Sequence, residues 1–148
     1  MRPNGFTLVE LMVVIAILAM AAGAVVLASG TAGGGPDEGA ARFASRLAAA
    51  RDEAIVSGRP LGAWASASGY GFERYRDGRW EAVAGKPFRT ENWPAGTNVR
   101  VAGETRDGLA RVRFDTLGIA DSELSVRLAR GGRTVQVRVA ANGDVVVE

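Results

Sequence analysis

The sequence of 148 residues contains no cysteine and no histidine, and its only lysine is Lys86. Without cysteine there is no disulfide framework, no thiolate nucleophile and no thiolate-bound metal. Without histidine there is no Ser-His-Asp triad and no ordinary zinc site. Carboxylates in the second half fall in turn-like segments, at spacings that do not indicate acid–base catalysis. We therefore expect a protein that is not an enzyme and that holds no metal and no cofactor.

A long run of charge of one sign is also missing. The 18 basic and 16 acidic residues are interspersed and give a net charge of +2. Such a balance produces no strong global field toward nucleic acid or a membrane surface. Any basic binding site would have to be local.

One long hydrophobic run is present, over residues 6–28, and it contains a single carboxylate, Glu10. As a helix, this run would extend about 34 Å, enough for a hydrocarbon core of about 30 Å. We predict a transmembrane helix over residues 6–28. Two alternatives are a buried core helix and a cleaved secretory signal, whose small-residue cleavage site the alanines before Gly23 could mimic.

Glu10 is the residue of this run that points to a function. A carboxylate near the start of a membrane helix is costly and indicates a functional site. It follows Phe6 by four residues, so both lie on one helix face. If the chain were cut between Gly5 and Phe6, the new amine would lie one turn from the carboxylate. Glu10 would then act on its own helix N-terminus or neutralise the amine of a neighbouring subunit; a glutamate resting in the headgroup layer is the alternative.

The segment Gly5-Phe6-Thr7-Leu8-Val9-Glu10-Leu11, with the apolar run after it, resembles the N-terminal motif of type IV pilins and type II secretion pseudopilins. The resemblance implies that residues 1–5 are a leader, that a prepilin peptidase cuts between Gly5 and Phe6, that Phe6 is N-methylated, and that Glu10 serves filament assembly. It further implies a single-pass protein of the bacterial inner membrane with a periplasmic C-terminal domain. The implied partners are other pseudopilins or minor pilins, the prepilin peptidase, the inner-membrane assembly platform and the lipid bilayer.

A glycine-rich stretch over residues 29–39 predicts a flexible linker before a globular domain of residues 40–148. Asp37 is expected to cap a helix that ends near Ser57, where Gly58 and Pro60 stop it. An apolar stripe at helical spacing marks its buried face: Phe43, Leu47, Ala50 and Ala54.

Beyond this helix, short strands alternate with turn signals such as Asp77-Gly78 and Asn142-Gly143. The expected strands are Leu61–Ser66, Tyr70–Tyr75, Trp80–Val83, Val99–Ala102, Val112–Phe114, Leu124–Ala129, Thr134–Val139 and Val145–Val147. The predicted fold class is α+β and type IV pilin-like, with a long N-terminal membrane helix followed by a helix packed on antiparallel β-sheet. Residues 50–60 resemble the GspH/FimT group of minor pseudopilins and minor pilins.

Two functions follow from this resemblance. The first is a minor pseudopilin that serves as a structural subunit of the type II secretion pseudopilus. The second is a minor type IV pilin that contributes to pilus assembly or DNA uptake, with Arg130, Arg133 and Arg138 as candidate nucleic-acid contacts beside Arg127. For Asn142 and Asp144, we weigh calcium binding against a hairpin turn and favour the turn.

Overall fold

The computed structural model describes residues 9–18, 34–103 and 105–148. The chain divides into two units, Met1–Gly33 and Gly34–Glu148. The leader, residues 6–8 and 19–28 of the predicted membrane span, and residues 29–33 of the predicted linker lie outside the described residues.

In the first unit, residues 9–18 form a helix, α1. All ten of these residues are exposed. None of the helices in the described ranges is both long and apolar enough to cross a bilayer. The span over residues 6–28 therefore stays a prediction.

Helix α2 runs from Pro36 to Ser57 and organises the second unit. Proline suits the first helical position because its φ is already helical and its missing N–H is not needed there. The prediction that Asp37 caps the helix is wrong, since the capping position is Gly35 and no side chain bonds there. Asp37 lies in the first turn, where its charge favours the positive end of the helix. The expected linker boundary also moves, because residues 36–39 are helical.

The end and the buried face of α2 agree with prediction. Gly58 ends the helix in the left-handed conformation, at φ 62°. Its N–H donates to the carbonyls of Ala54 and Ile55. The four stripe residues Phe43, Leu47, Ala50 and Ala54 are fully buried. Burying a side chain the size of phenylalanine or leucine stabilises a fold by about 1.5–3 kcal/mol.

Ten antiparallel strands in the described residues form two sheets. The first has the order β3-β2-β1-β7-β6, with β4 paired to β2. Its strands are β1 Leu61–Ala65, β2 Gly69–Arg76, β3 Arg79–Ala82, β4 Glu91–Asn92, β6 Thr105–Arg106 and β7 Leu109–Phe114. The second has the order β10-β9-β8-β5, with β5 Asn98–Gly103, β8 Leu124–Arg130, β9 Arg133–Val139 and β10 Val145–Val147.

The α+β class is confirmed, and the strand set differs from prediction at two places. The strands β4 and β6 were not expected, because two-residue strands are too short to show alternation. The turn at Asp77-Gly78 is confirmed, with φ of 49° and 82° at its two residues. These are the positive values that a tight hairpin turn of this kind requires.

Both sheets pack on α2, which contacts β1 and β7 of the first sheet and β8, β9 and β10 of the second. An aromatic cluster fills one end of this core. The ring centroids of Phe43 and Tyr70 lie 4.6 Å apart, and those of Tyr70 and Trp93 lie 4.7 Å apart. Trp93 also donates its indole N–H to the carbonyl of Ser66 at 2.8 Å. These contacts hold the segment that follows β4 against the helix.

A carboxylate beside this cluster, on Glu91, ties β4 to α2. Arg46 donates to it at 2.6 Å, Arg89 donates at 3.0 Å, and the Tyr70 hydroxyl donates at 3.3 Å. Burial acts to raise the pKa of Glu91, but the hydrogen bonds and charges of Arg46 and Arg89 outweigh it and hold that pKa below its usual range. Burial raises the pKa of Tyr70 to about 12, with Arg46 opposing and Glu91 adding to the rise.

We expect Glu91→Gln to lower the free energy of unfolding at pH 7 by about 2 kcal/mol, because two guanidinium groups lose a charged acceptor. Folding lowers the pKa of Glu91. Its contribution to the free energy of unfolding is therefore fully present above the pKa of the unfolded state and is lost as the pH falls through the pKa of the folded state. The difference in the free energy of unfolding between wild type and variant should therefore begin to shrink as the pH falls below the ordinary value of 4.5 and should disappear below the folded-state pKa. Urea unfolding across this pH range measures the difference.

The matched control is Glu38→Gln, which removes an exposed carboxylate paired with Arg42 at 2.6 Å. An exposed pair of this kind contributes no more than about 0.5 kcal/mol. Equal decreases in the free energy of unfolding for Glu91→Gln and Glu38→Gln would contradict a stabilising role for the Glu91 carboxylate. A decrease for Glu91→Gln that does not change with pH would contradict it as well.

Candidate interaction surfaces

Of the three residues predicted to serve processing and assembly, only Glu10 lies within the described residues. It is exposed, in the first turn of α1. Its neighbours along the helix are large apolar side chains that are also exposed, at 68% for Val9 and 54% for Leu11. A continuous apolar surface of this kind indicates contact with lipid or with other apolar helices. Gly5 and Phe6 lie outside the described residues, so their roles stay predictions.

The three arginines predicted as nucleic-acid contacts lie on two different sides of the second sheet. Side chains alternate along a strand, so Arg138 shares the outer face with Thr134, whereas Arg133 shares the side of the buried valines of β9. Arg133 pairs with Asp37 of α2 at 3.7 Å, and Arg138 pairs with Glu148 at 3.2 Å. The structure therefore does not bring all three arginines together, because Arg138 lies on the face opposite to Arg133.

Arg130 lies at the hairpin tip, opposite Arg133. The hairpin itself is confirmed, with φ of 58° and 80° at Gly131 and Gly132. A Cβ placed on Gly96 would lie 3.6 Å from Nε of Arg130, so this guanidinium rests beside the turn before β5. Whether these arginines bind nucleic acid stays a prediction.

The outer face of the second sheet brings together two arginines that are far apart in sequence. Arg100 of β5 lies directly opposite Arg127 of β8, and Arg127 lies opposite Gln136 of β9. The Arg127 guanidinium donates to the Gln136 side-chain oxygen at 3.1 Å. Arg100 was missed from the sequence because only the pairing of β5 with β8 places it here. The alternation of Asn98 and Arg100 with Val99 could have assigned it to an exposed strand face.

An exposed apolar surface lies at the C-terminal end of α2. We call it the helix-end patch, and its members are Ile55, Val56, Leu117 and Ile119, which are 44%, 84%, 73% and 50% exposed. The turn that carries the last two is held by the Asp115 side chain, which accepts the N–H groups of Leu117 at 2.8 Å and Ile119 at 2.9 Å. Gly118, between them, has φ 79° and fits closely against Ile55. Large apolar side chains that are exposed in one region are typical of a protein contact surface.

The segment that was weighed as a calcium site is a hairpin turn. Asp144 accepts Nη1 of Arg51 at 3.2 Å and the Asn142 side-chain amide at 2.7 Å. Arg51 also donates to the carbonyls of Gly118 at 3.0 Å and Asn142 at 3.3 Å. The carboxylate is thus engaged by a cation of the chain itself. Arg51 thus connects α2 to the turn at Gly118 and to the turn at Asn142.

Comparison with known proteins identifies two family models in this chain. The model described as type II transport protein GspH matches residues 39–143. The prokaryotic N-terminal methylation motif matches residues 1–26. A curated relative, type II secretion system protein H of Pseudomonas aeruginosa, is 36% identical over 94 residues. That alignment covers 61% of this chain and 55% of the relative, so the match spans about half the relative's length.

Solved structures show the same fold. The minor pseudopilin EpsH of the Vibrio cholerae type 2 secretion system has a TM-score of 0.64 at 17% identity, covering 78% of this chain and 97% of EpsH. The solution structure of E. coli GspH has a TM-score of 0.59 at 20% identity, covering 76% of this chain and 86% of that protein. The type IV minor pilin FimU of Pseudomonas aeruginosa has a TM-score of 0.56 at 15% identity, covering 76% of this chain and 87% of FimU. The pilin-like fold expected from the sequence is confirmed.

Proposed function

This chain belongs to the GspH family of type II transport proteins, and we propose on that basis that it is a minor pseudopilin, a structural subunit of the type II secretion pseudopilus. In this role it is needed for the export of folded proteins across the outer membrane, and it catalyses no reaction. The observation that carries the proposal is the presence in one chain of the methylation motif, over residues 1–26, and the GspH domain, over residues 39–143. Neither segment by itself would imply a subunit that is both processed and assembled.

Processing prepares the chain for assembly. In the proposed scheme, a prepilin peptidase removes residues 1–5, and Phe6 becomes the N-methylated terminus. The new amine is positive and lies one helical turn before Glu10. Two such opposite charges in a low-dielectric layer attract strongly and are costly to leave unpaired. Glu10 therefore neutralises the amine of a neighbouring subunit when the subunits pack.

The exposed apolar side chains of α1 fit both states of such a subunit. Before assembly, the segment 6–28 lies in the inner membrane as a single span, and the domain of residues 40–148 is periplasmic. After assembly, the same side chains pack among the helices of other pseudopilins. The proposal needs an exposed apolar surface in this segment, and residues 9–18 supply one.

Contact with other subunits is also supported in the second unit. The helix-end patch exposes four large apolar side chains beside the turn at Gly118. Partners of the chain in this proposal are other pseudopilins, the prepilin peptidase and the inner-membrane assembly platform. We assign the helix-end patch to a contact with another pseudopilin.

A second candidate function is that of a minor type IV pilin. The similarity of fold to FimU favours it, because FimU matches with a TM-score of 0.56. A role in DNA uptake through Arg130, Arg133 and Arg138 has less support, since Arg133 and Arg138 are paired with carboxylates on two sides of the sheet. Secretion is therefore the first proposal.

We expect the membrane-bound protein to begin with N-methylated Phe6, because the peptidase would cut after Gly5. Intact-mass and terminal-peptide mass spectrometry of the protein from its native membrane measures this. A Gly5→Leu variant is the control and should keep Met1, because the larger side chain blocks the cut. A wild-type protein that retains Met1, or that begins near Gly23, would contradict the processing step.

We expect Glu10→Ala to leave membrane insertion and cleavage intact but to reduce secretion by about tenfold or more, because an amine left unpaired in the bilayer costs about 3–5 kcal/mol. Secreted enzyme activity in a complemented strain measures the effect. Glu38→Ala is the matched control, since it removes an exposed carboxylate from α2. Normal secretion with Glu10→Ala at wild-type protein levels would contradict the pairing.

A further inference from the structure

We propose that a hollow on the outer face of the second sheet binds the side-chain carboxylates of an acidic segment of a partner protein. We call it the outer-face hollow; its lining residues are Asn98, Arg100, Arg127, Ala129 and Thr134. This site goes beyond the role in secretion proposed above and does not depend on it.

The strand register builds the outer-face hollow. Ala129 of β8 lies opposite Asn98 of β5 on one side and opposite Thr134 of β9 on the other. Its methyl group is shorter than the side chains around it and forms the floor. Arg100 and Arg127, opposite each other two residues along the strands, form one wall. The hollow has a volume of about 290 Å³, and its lining residues carry two guanidinium groups, an amide and a hydroxyl.

The two arginines of this wall have no anionic partner in the described part of the chain. Like charges directly opposite on neighbouring strands are destabilising. The ion pairs among the described residues include Arg133 with Asp37 and Arg138 with Glu148, but none includes Arg100 or Arg127. Gln136 gives Arg127 a neutral acceptor only. An external carboxylate would relieve the repulsion and could accept two parallel hydrogen bonds from a guanidinium.

The surroundings of the outer-face hollow favour a protein carboxylate over nucleic acid. Binding to a phosphate backbone needs a track of several free cations, and single strands also need aromatic side chains for stacking. The outward residues of β5, β8 and β9 include no aromatic side chain: Asn98, Arg100, Ala102, Ser125, Arg127, Ala129, Thr134, Gln136 and Arg138. Arg138 on this face is already paired with Glu148, so it does not extend the two arginines into a longer track of cations. The guanidinium groups of Arg100 and Arg127, which pair with no carboxylate of the described residues, match one or two external carboxylates.

The test titrates the full chain, ¹⁵N-labelled in non-ionic detergent micelles, with a short peptide that carries two adjacent glutamates between glycine and serine residues. We expect the amide signals of residues 98–100, 127–129 and 134 to shift, and the analogue with two glutamines to leave them in place. In Arg100→Gln/Arg127→Gln the apparent affinity should fall roughly tenfold or more, because the charge-assisted hydrogen bonds to the carboxylates are lost.

Two further variants distinguish specific binding in the outer-face hollow from non-specific attraction by the net charge of the protein. Arg59→Gln/Arg76→Gln removes the same charge from exposed positions outside the second sheet and should change the affinity less than about twofold, the size of a surface-charge effect. Ala129→Leu keeps every charge, fills the floor and should abolish the local shifts. Equal losses in the two double variants, or full binding by Ala129→Leu, would overturn the proposal. A single-stranded DNA oligonucleotide that shifts these signals when the peptide does not would reassign the face to nucleic acid.

Discussion

Burial of one face of α2 is the constraint on which the rest of the domain depends. The face is lined by small side chains such as Ala50 and Ala54, with Phe43 and Leu47 as its large members, and all four are fully buried. Because alanines let strands approach closely, two sheets rather than one pack on this single helix. Gly39 marks the limit of the approach, since a Cβ there would lie 2.9 Å from Pro94. Without cysteine, this packing has to hold the second sheet in place.

Arginine side chains add contacts that apolar packing does not supply. Some of them bind carboxylates and carbonyls within the domain, whereas others pair with no carboxylate of the described residues. Arg46 and Arg51 leave α2 in different directions and hold, respectively, the carboxylate of Glu91 and the two turns at Gly118 and Asp144. Arg100 and Arg127 make no such contact with a carboxylate of the described chain. Because these two guanidinium groups pair with no carboxylate of the described residues, they are available to a carboxylate of a partner protein at the outer face of the second sheet.

Local signals in the sequence predicted local structure well. Positive φ at Asp77-Gly78 and at Gly131-Gly132 follows from residues that tolerate it, and the stripe of α2 follows from helical spacing. Features that depend on pairing between distant strands were not accessible. The pairing of β5 with β8, which brings Arg100 to Arg127, is such a feature. The placement of Arg133 and Arg138 on opposite sides, by contrast, follows from alternation along β9. Asp37 was expected to cap α2 because its side chain suits that position, but Pro36 takes the first helical position, so the cap falls on Gly35, two residues earlier.

The most direct test of the central claim compares a strain that lacks this chain with its parent and with a complemented strain. Extracellular enzyme release, pilus-dependent motility and DNA uptake are measured in the same cultures. If the chain is a minor pseudopilin of type II secretion, the strain that lacks it should lose enzyme release and keep normal motility and DNA uptake. Complementation should restore release. Normal release together with loss of motility or uptake would contradict the account and would place the chain among the minor type IV pilins.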